Sequence, residues 1–198
     1  MRKAADTIYG DDLPKMEETM KNTVAFINGL RQGLKAMYGE DPVEHLSYRI
    51  KTDKSMREKL KKRGLPETKE AALQELTDAI GIRIVCAFRS DVYTLRDLIV
   101  ENDHFQVIEE KDYIKNAKEN GYRSYHMIVK TGGYFVEIQL RTISMDTWAA
   151  LEHQIKYKKN LNGKNLSLIT SELKRCADEM ASTDISMQTI RDMIRTID

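Results

Sequence analysis

Arg49 and Lys51 alternate along one side of a short predicted strand, and Ser55, Lys59 and Lys62 follow at helical spacing. Cations converging from a strand end and the next helix suit a polyphosphate held by charge-assisted hydrogen bonds. A solvated basic face would use the same residues. A second group is "DAIGIR", Asp78 to Arg83, where an aspartate ends a predicted helix and an arginine interrupts an apolar strand. A helix C-terminus disfavours a carboxylate unless a cation sits beside it. A bound Mg2+ would supply that cation; a surface aspartate, with Arg83 paired elsewhere, is the ordinary alternative. The third group joins "KENGYRSYH", Lys118 to His126, to "VEIQLR", Val136 to Arg141. Here a lysine-bearing loop turns at Asn120-Gly121 into an alternating face of Tyr122, Ser124 and His126. Such a face is a poor core but suits a base and a phosphate. Glu137 on a central strand is costly unless paired or metal-bound. Asp78 and Glu137 together match the one or two carboxylates that Mg2+ takes beside water and phosphate oxygens. A structural network of Glu137 with Arg141 or His126 is the alternative.

These side chains need elements to position them. Residues 13–38 carry Met16, Met20, Ile27, Leu30 and Leu34 at helical spacing, and Gly39 stands where a C-terminal cap belongs. Residues 45–51 alternate as a strand, with Leu46, Tyr48 and Ile50 on one face and His45, Ser47, Arg49 and Lys51 on the other. Thr52-Asp53 caps a short basic helix that ends near Arg63-Gly64. Thr68 opens a further helix, to about residue 79. A strand at 82–88, a helix at 91–101 and a strand at 105–110 follow.

The spacing then predicts two strands, 122–130 and 134–141, joined at Gly132-Gly133. A two-residue turn there fixes the register: Thr131 faces Tyr134, His126 faces Gln139, and Ser124 faces Arg141. One face becomes apolar through Tyr125, Met127, Val129, Val136, Ile138 and Leu140. The other collects Tyr122, Ser124, His126, Glu137, Gln139 and Arg141, with Ile128 its apolar exception and Arg123 the charged exception opposite. A helix at 145–159 carries Trp148, Leu151 and Ile155, with a break at Asn162-Gly163. Two apolar-striped helices, 167–181 and 184–197, follow. The fold class is α+β: a mixed sheet of about five strands flanked by helices, with helical extensions at both ends.

The 198 residues suit one domain, 41% hydrophobic and 32% charged, with a net charge of +1. A globally basic nucleic-acid binder is not indicated, so any anion site must come from local clustering. No long apolar run or signal peptide is apparent, which sets the expectation of a cytoplasmic protein without membrane attachment. Cys86 and Cys176 lack metal spacing and read as reduced packing residues. Phosphate-binding glycine loops and zinc-ligand spacings are also missing.

Taken in order, "RIKTDKSMREK", "DAIGIRIV", "KENGYRSYH", "VEIQLRT" and "WAALEH" resemble the synthetase domain of the RelA/SpoT family. The length resembles its small single-domain alarmone synthetases, with a catalytic core at about 40–160 in one domain spanning 1–198. The resemblance implies a nucleotidyltransferase-like fold and transfer of the β,γ-pyrophosphate of ATP to the 3′-hydroxyl of GDP or GTP. It implies Arg49, Lys51, Ser55, Lys59 and Arg83 for ATP, and Asp78 and Glu137 as catalytic Mg2+ carboxylates, Glu137 also activating the hydroxyl. For GDP or GTP it implies Lys118, Asn120, Tyr122, His126, Gln139, Arg141 and Glu152, with Tyr122 stacked on guanine. Asp146 stands where some small synthetases have asparagine. It further implies a homotetramer assembled through terminal helices. Two other readings remain open on the residues alone: a relative that pyrophosphorylates tRNA 3′ ends, and a non-catalytic nucleotide or RNA sensor.

Overall fold

The computed structural model describes residues 7–157 and 164–197. Its centre is a five-stranded sheet in the order β1-β2-β5-β4-β3. The strands are β1 (Val43–Ile50), β2 (Ile80–Cys86), β3 (Gln106–Asp112), β4 (Tyr125–Thr131) and β5 (Tyr134–Thr142). Only the β2–β5 pair is parallel, so the sheet is mixed, as the α+β expectation required. The helices are α1 (Leu13–Tyr38), α2 (Asp53–Lys62), α3 (Arg89–Val100), α4 (Ile143–Tyr157) and α5 (Lys164–Arg195).

One face of the sheet is the core. Ile80, Ile82, Ile84, Met127, Val129, Val136, Ile138 and Leu140 are buried there against Met16 and Ile27 of α1, Leu95 and Ile99 of α3, and Met56 and Leu60 of α2. The glycine pair at the β4–β5 turn sets the register. Gly132 and Gly133 take φ of 56° and 85°, and Thr131 pairs with Tyr134, His126 with Gln139 and Met127 with Ile138. The local signals at α1 and α2 also act as expected: the Gly39 N–H closes α1 on the Lys35 carbonyl, and Thr52 Oγ1 caps α2 by accepting the Ser55 N–H.

Three expectations need correction. β4 begins at Tyr125, so residues 122–124 precede the ladder, and Ser124 meets Arg141 through a side-chain bond instead. The helix opened by Thr68 is only a short turn, its π-helical part spanning Ala71–Glu75, because Leu76 is already extended and buried on the way into β2. The two C-terminal helices are one, α5. No glycine or proline interrupts it, and the residues between the two expected helices stay helical: Thr183 Oγ1 bonds back to the Glu179 carbonyl and Asp184 accepts Thr142 Oγ1. The expected break at Asn162-Gly163 lies outside the described residues.

Candidate active site

The face of the sheet opposite the core gathers the polar residues into rows. The pairing sets Arg49, Gly81, Glu137 and Ile128 side by side across four strands, and Ser47, Arg83, Gln139 and His126 in the next row. Gly81 contributes no side chain, so open space separates Arg49 from Glu137. A cavity of about 420 Å3 lies over this face, lined by Arg49, Lys51, Asp78, Arg83, Glu137 and Gln139 among others.

At one end, Asp78 sits in the extended link before β2, where Lys51 and Lys59 both donate to its Oδ2, Lys59 at 2.6 Å. Lys51 follows β1, and Lys59 comes from the second turn of α2, so the strand, its cap and the helix together bring both ammonium groups to one carboxylate. Burial pushes the Asp78 carboxyl up, but the two lysines outweigh it and hold the group below the usual carboxylate range. Asp78 lies beyond the helix that the sequence predicts it to end. The helix ends at Glu75, and the protein's own lysines supply the positive charge. Ser55 lies in the first turn of α2, engaged with Thr52, and Arg49 is exposed on β1.

Toward β4 a hydrogen-bonded relay runs through the face. Arg141, 4% exposed, donates to Ser124 Oγ, Asp146 Oδ1 (3.0 Å), Gln139 Oε1 (2.9 Å) and the Tyr122 hydroxyl (2.7 Å). The Tyr122 hydroxyl also lies 2.7 Å from His126 Nε2, and His126 Nδ1 lies 3.4 Å from Glu137 Oε1. Since Arg141 donates to the Tyr122 oxygen, the Tyr122 proton is free for Nε2. That accounting puts the imidazole proton on Nδ1, facing Glu137. Gln139 Nε2 donates to Glu137 Oε2 at 2.9 Å. Burial raises the Glu137 carboxyl, and His126 with Gln139 more than offsets it, leaving its pKa below the ordinary value. Asp146 also forms an ion pair with Arg83 at 3.2 Å. Burial, then the neighbouring Arg141, lowers the Arg83 pKa, against the pull of Asp146. This carboxylate thus joins an arginine of β2 to one of β5.

The loop of residues 113–123 closes that end. Tyr113, Tyr122 and His126 form an aromatic triangle with centroid separations of 5.4–6.2 Å. Lys118 Nζ stands 4.6 Å from the Tyr113 ring and 5.1 Å from the Tyr122 ring. Asn120 Oδ1 accepts the Tyr122 N–H, and its amide donates to Glu152 of α4 at 3.1 Å. Of the fourteen site residues expected from sequence, thirteen therefore lie on this face or contact a residue that does, and Ser55 stays beside Thr52 at the start of α2. Tyr113 was missed because it follows the end of β3 in a stretch with no periodic signal. The part played by Asp146 shows only once the sheet sets Arg83 near Arg141.

A model of the region found in RelA/SpoT proteins matches residues 48–162. The chain belongs to the RelA/SpoT family. Among relatives in the family, GTP pyrophosphokinase YwaC of Bacillus subtilis (strain 168) is 35% identical over 170 residues, covering 82% of this chain and 80% of its own. GTP pyrophosphokinase YjbM of the same organism is 30% identical over 172 residues, 81% of this chain and 79% of its own. Among solved structures, small alarmone synthetase 2 from Bacillus subtilis superposes with a TM-score of 0.79 at 32% identity, over 92% of this chain and 98% of that one. Small alarmone synthetase 1 of that organism, solved with its product pppGpp, gives 0.77 at 29%, over 92% and 95%.

The two carboxylates of this RelA/SpoT site fit a magnesium ion. Asp78 Oδ1 is buried and has no hydrogen-bond partner among the described residues, which leaves one hard oxygen unused by either lysine. Glu137 lines the same cavity. Among the described residues no group of three or more His, Cys, Asp or Glu is placed to hold an ion. A magnesium ion at this pair would draw its other ligands from water and substrate oxygens.

Gly121 ties the aromatic loop to α5. At φ 89° it adopts a backbone that suits glycine, and a Cβ there would meet Ala177 Cβ at 2.6 Å and Lys174 Cα at 3.1 Å. Gly121→Ala is expected to shift residues 118–123, lowering stability by about 1–3 kcal/mol and raising the Michaelis constant of a nucleotide substrate. Thermal melting and steady-state kinetics check this; unchanged kinetics would show that the loop does not shape the site.

Proposed function

We propose that the chain is a small alarmone synthetase. It transfers the β,γ-pyrophosphate of ATP to the 3′-hydroxyl of GDP or GTP, giving AMP and ppGpp or pppGpp. The carrying observation is a single polar sheet face with phosphate-type cations and two carboxylates at one end and an aromatic, lysine-topped loop at the other. It lies in a chain that matches GTP pyrophosphokinases over about four-fifths of both lengths.

On this reading Lys51, Ser55, Lys59 and Arg83 take the ATP phosphates, and Arg49 stacks on adenine. Tyr122 stacks on guanine, Lys118 and His126 face the acceptor phosphates, and Asn120, Gln139, Arg141 and Glu152 hold the pocket's shape. Glu137 accepts the proton of the 3′-hydroxyl. The hydroxyl oxygen bonds to the β-phosphorus in line as the bridge to the α-phosphate breaks, and AMP leaves with that bridging oxygen. Mg2+ held by Asp78 and Glu137 would neutralise phosphate charge during the transfer. The protein's contribution is positioning and electrostatics.

The assay is protein, Mg2+ and ATP with GDP, GTP or deacylated tRNA in parallel, reading AMP and the modified acceptor. Product on GDP or GTP is expected; product on tRNA alone would overturn the free-nucleotide reading. Glu137→Gln should abolish turnover with the melting temperature nearly kept, because charge goes and size stays. Near-normal turnover would sink the assignment of base and metal ligand. Tyr122→Ala should weaken acceptor use by about 1–3 kcal/mol, the worth of one base stack, with ATP binding little changed. A loss falling on ATP instead would mean the two pockets are reversed.

The reading includes a cytoplasmic homotetramer. No helix of the described residues is long and apolar enough to cross a membrane. Met187, Ile190, Met193 and Ile194 of α5 are each about half exposed, and Met37 at the end of α1 is 72% exposed. Apolar surface of this kind favours burial between subunits. Light scattering should return a multiple of the 22.9 kDa chain mass; a monomer mass would refute it.

A further inference from the structure

Residues 7–12 precede α1 and lie outside the stretch matched by the family model, yet they bond to the elements beneath the carboxylate end of the polar face. Tyr9 is 2% exposed, and its hydroxyl donates to the Lys51 carbonyl at 2.8 Å. The Ile8 N–H donates to Asp53 Oδ1 at 2.6 Å, at the first residue of α2. Asp12 accepts the Tyr134 hydroxyl at 2.7 Å, beside the β4–β5 turn, and Lys69 at 2.9 Å. The segment therefore straps together the start of α2, the turn before β2 and the β4–β5 hairpin.

Lys51 is where this strap touches the chemistry. Only Lys51 and Thr52 link β1 to α2, so there is little chain to absorb a displacement. The Lys51 N–H donates to the Ala79 carbonyl at 2.8 Å, next to Asp78, which fixes one side of the residue. The Tyr9 hydroxyl fixes the other. Burial, then the Asp78 and Asp53 carboxylates, push the Tyr9 pKa far up, so the hydroxyl keeps its proton and remains a donor. A buried phenylalanine would fill the same space but leave the carbonyl without this partner and the link held on one side only.

We propose that Tyr9 is a positioning residue for the donor nucleotide: its hydroxyl holds the Lys51 carbonyl and so aims Lys51, with Ser55 and Lys59 of the adjoining helix, at the ATP phosphates. This rests on the donor-site reading above. The segment's second anchor, Ile8 on Asp53, acts on the same helix end and supports that direction of effect.

The test is Tyr9→Phe in the full chain, with separate Michaelis constants for ATP and GDP, thermal melting, and direct binding of a fluorescent non-hydrolysable ATP analogue. One hydrogen bond predicts a roughly two- to tenfold rise in the ATP constant and in the analogue's dissociation constant, with the GDP constant unchanged. A lowered melting temperature with both Michaelis constants unmoved would overturn the proposal and leave Tyr9 as packing. An equal rise in both constants would overturn it too, because the effect would not be specific to the donor end. Lys51→Met separates the two levels of inference. If it leaves analogue binding intact, the donor-site reading itself fails; if it weakens binding and Tyr9→Phe does not, only the role of Tyr9 fails.

Discussion

The carboxylate of Asp78, held by Lys51 and Lys59, is the interaction on which the polar face depends. A mostly buried carboxylate is tolerable only with compensating charge, and breaking such a group on one side is strongly destabilising. Satisfying it requires β1 to end at Ile50, Thr52 to start α2 at once, and the chain to run extended from Leu76 into β2. The same requirement concentrates cations. Arg49, Lys51, Lys59 and Arg83 stand around Asp78 and Glu137, four positive groups against two negative ones, in a chain whose net charge is only +1. A polyanion site thus arises from local placement and not from overall basicity.

The other half of the face is organised around Arg141. It is nearly buried and spends its donors on Ser124, Asp146, Gln139 and Tyr122. Its role in the structure is to fix the groups that surround Glu137 more than to project into the cavity. Tyr122 in turn orients His126, and His126 with Gln139 settles Glu137. A carboxylate held by these neighbours stays ionised in a largely desolvated place, with its pKa below the ordinary value. Asp146 bridges Arg141, by a hydrogen bond, to Arg83, by an ion pair, so the two ends of the face share one charged frame.

The β4–β5 register was legible from Gly132-Gly133 because a two-residue turn leaves a single pairing, and the period-2 pattern then sorts every side chain to a face. The polar face followed from that sorting. What stayed hidden depended on contacts distant in sequence. The turn at Ala71–Glu75 ends early because Leu76 is claimed by the core, and the expected break between 181 and 184 is bridged by bonds within α5 and by Thr142. Tyr113 joins the aromatic triangle through a loop with no period, and Tyr9 reaches Lys51 across 42 residues of sequence. Residue type alone does not distinguish such a tyrosine from one that merely packs.

The two ends of the chain support the two ends of the face. The segment before α1 bonds under Lys51, Asp53 and the hairpin. At the far end α5 presses its backbone against Gly121, takes Arg123 on Asp178 at 2.8 Å, and accepts the Trp148 indole N–H at the Leu173 carbonyl. Neither terminal element supplies a residue to the polar rows. Each instead fixes a short link, residues 51–52 on one side and 118–123 on the other, whose few bonds would not hold side chains still. A flat sheet face offers rigid positions along its strands but none at its margins. The margins of this one are set by packing from elements that the 48–162 family region does not contain.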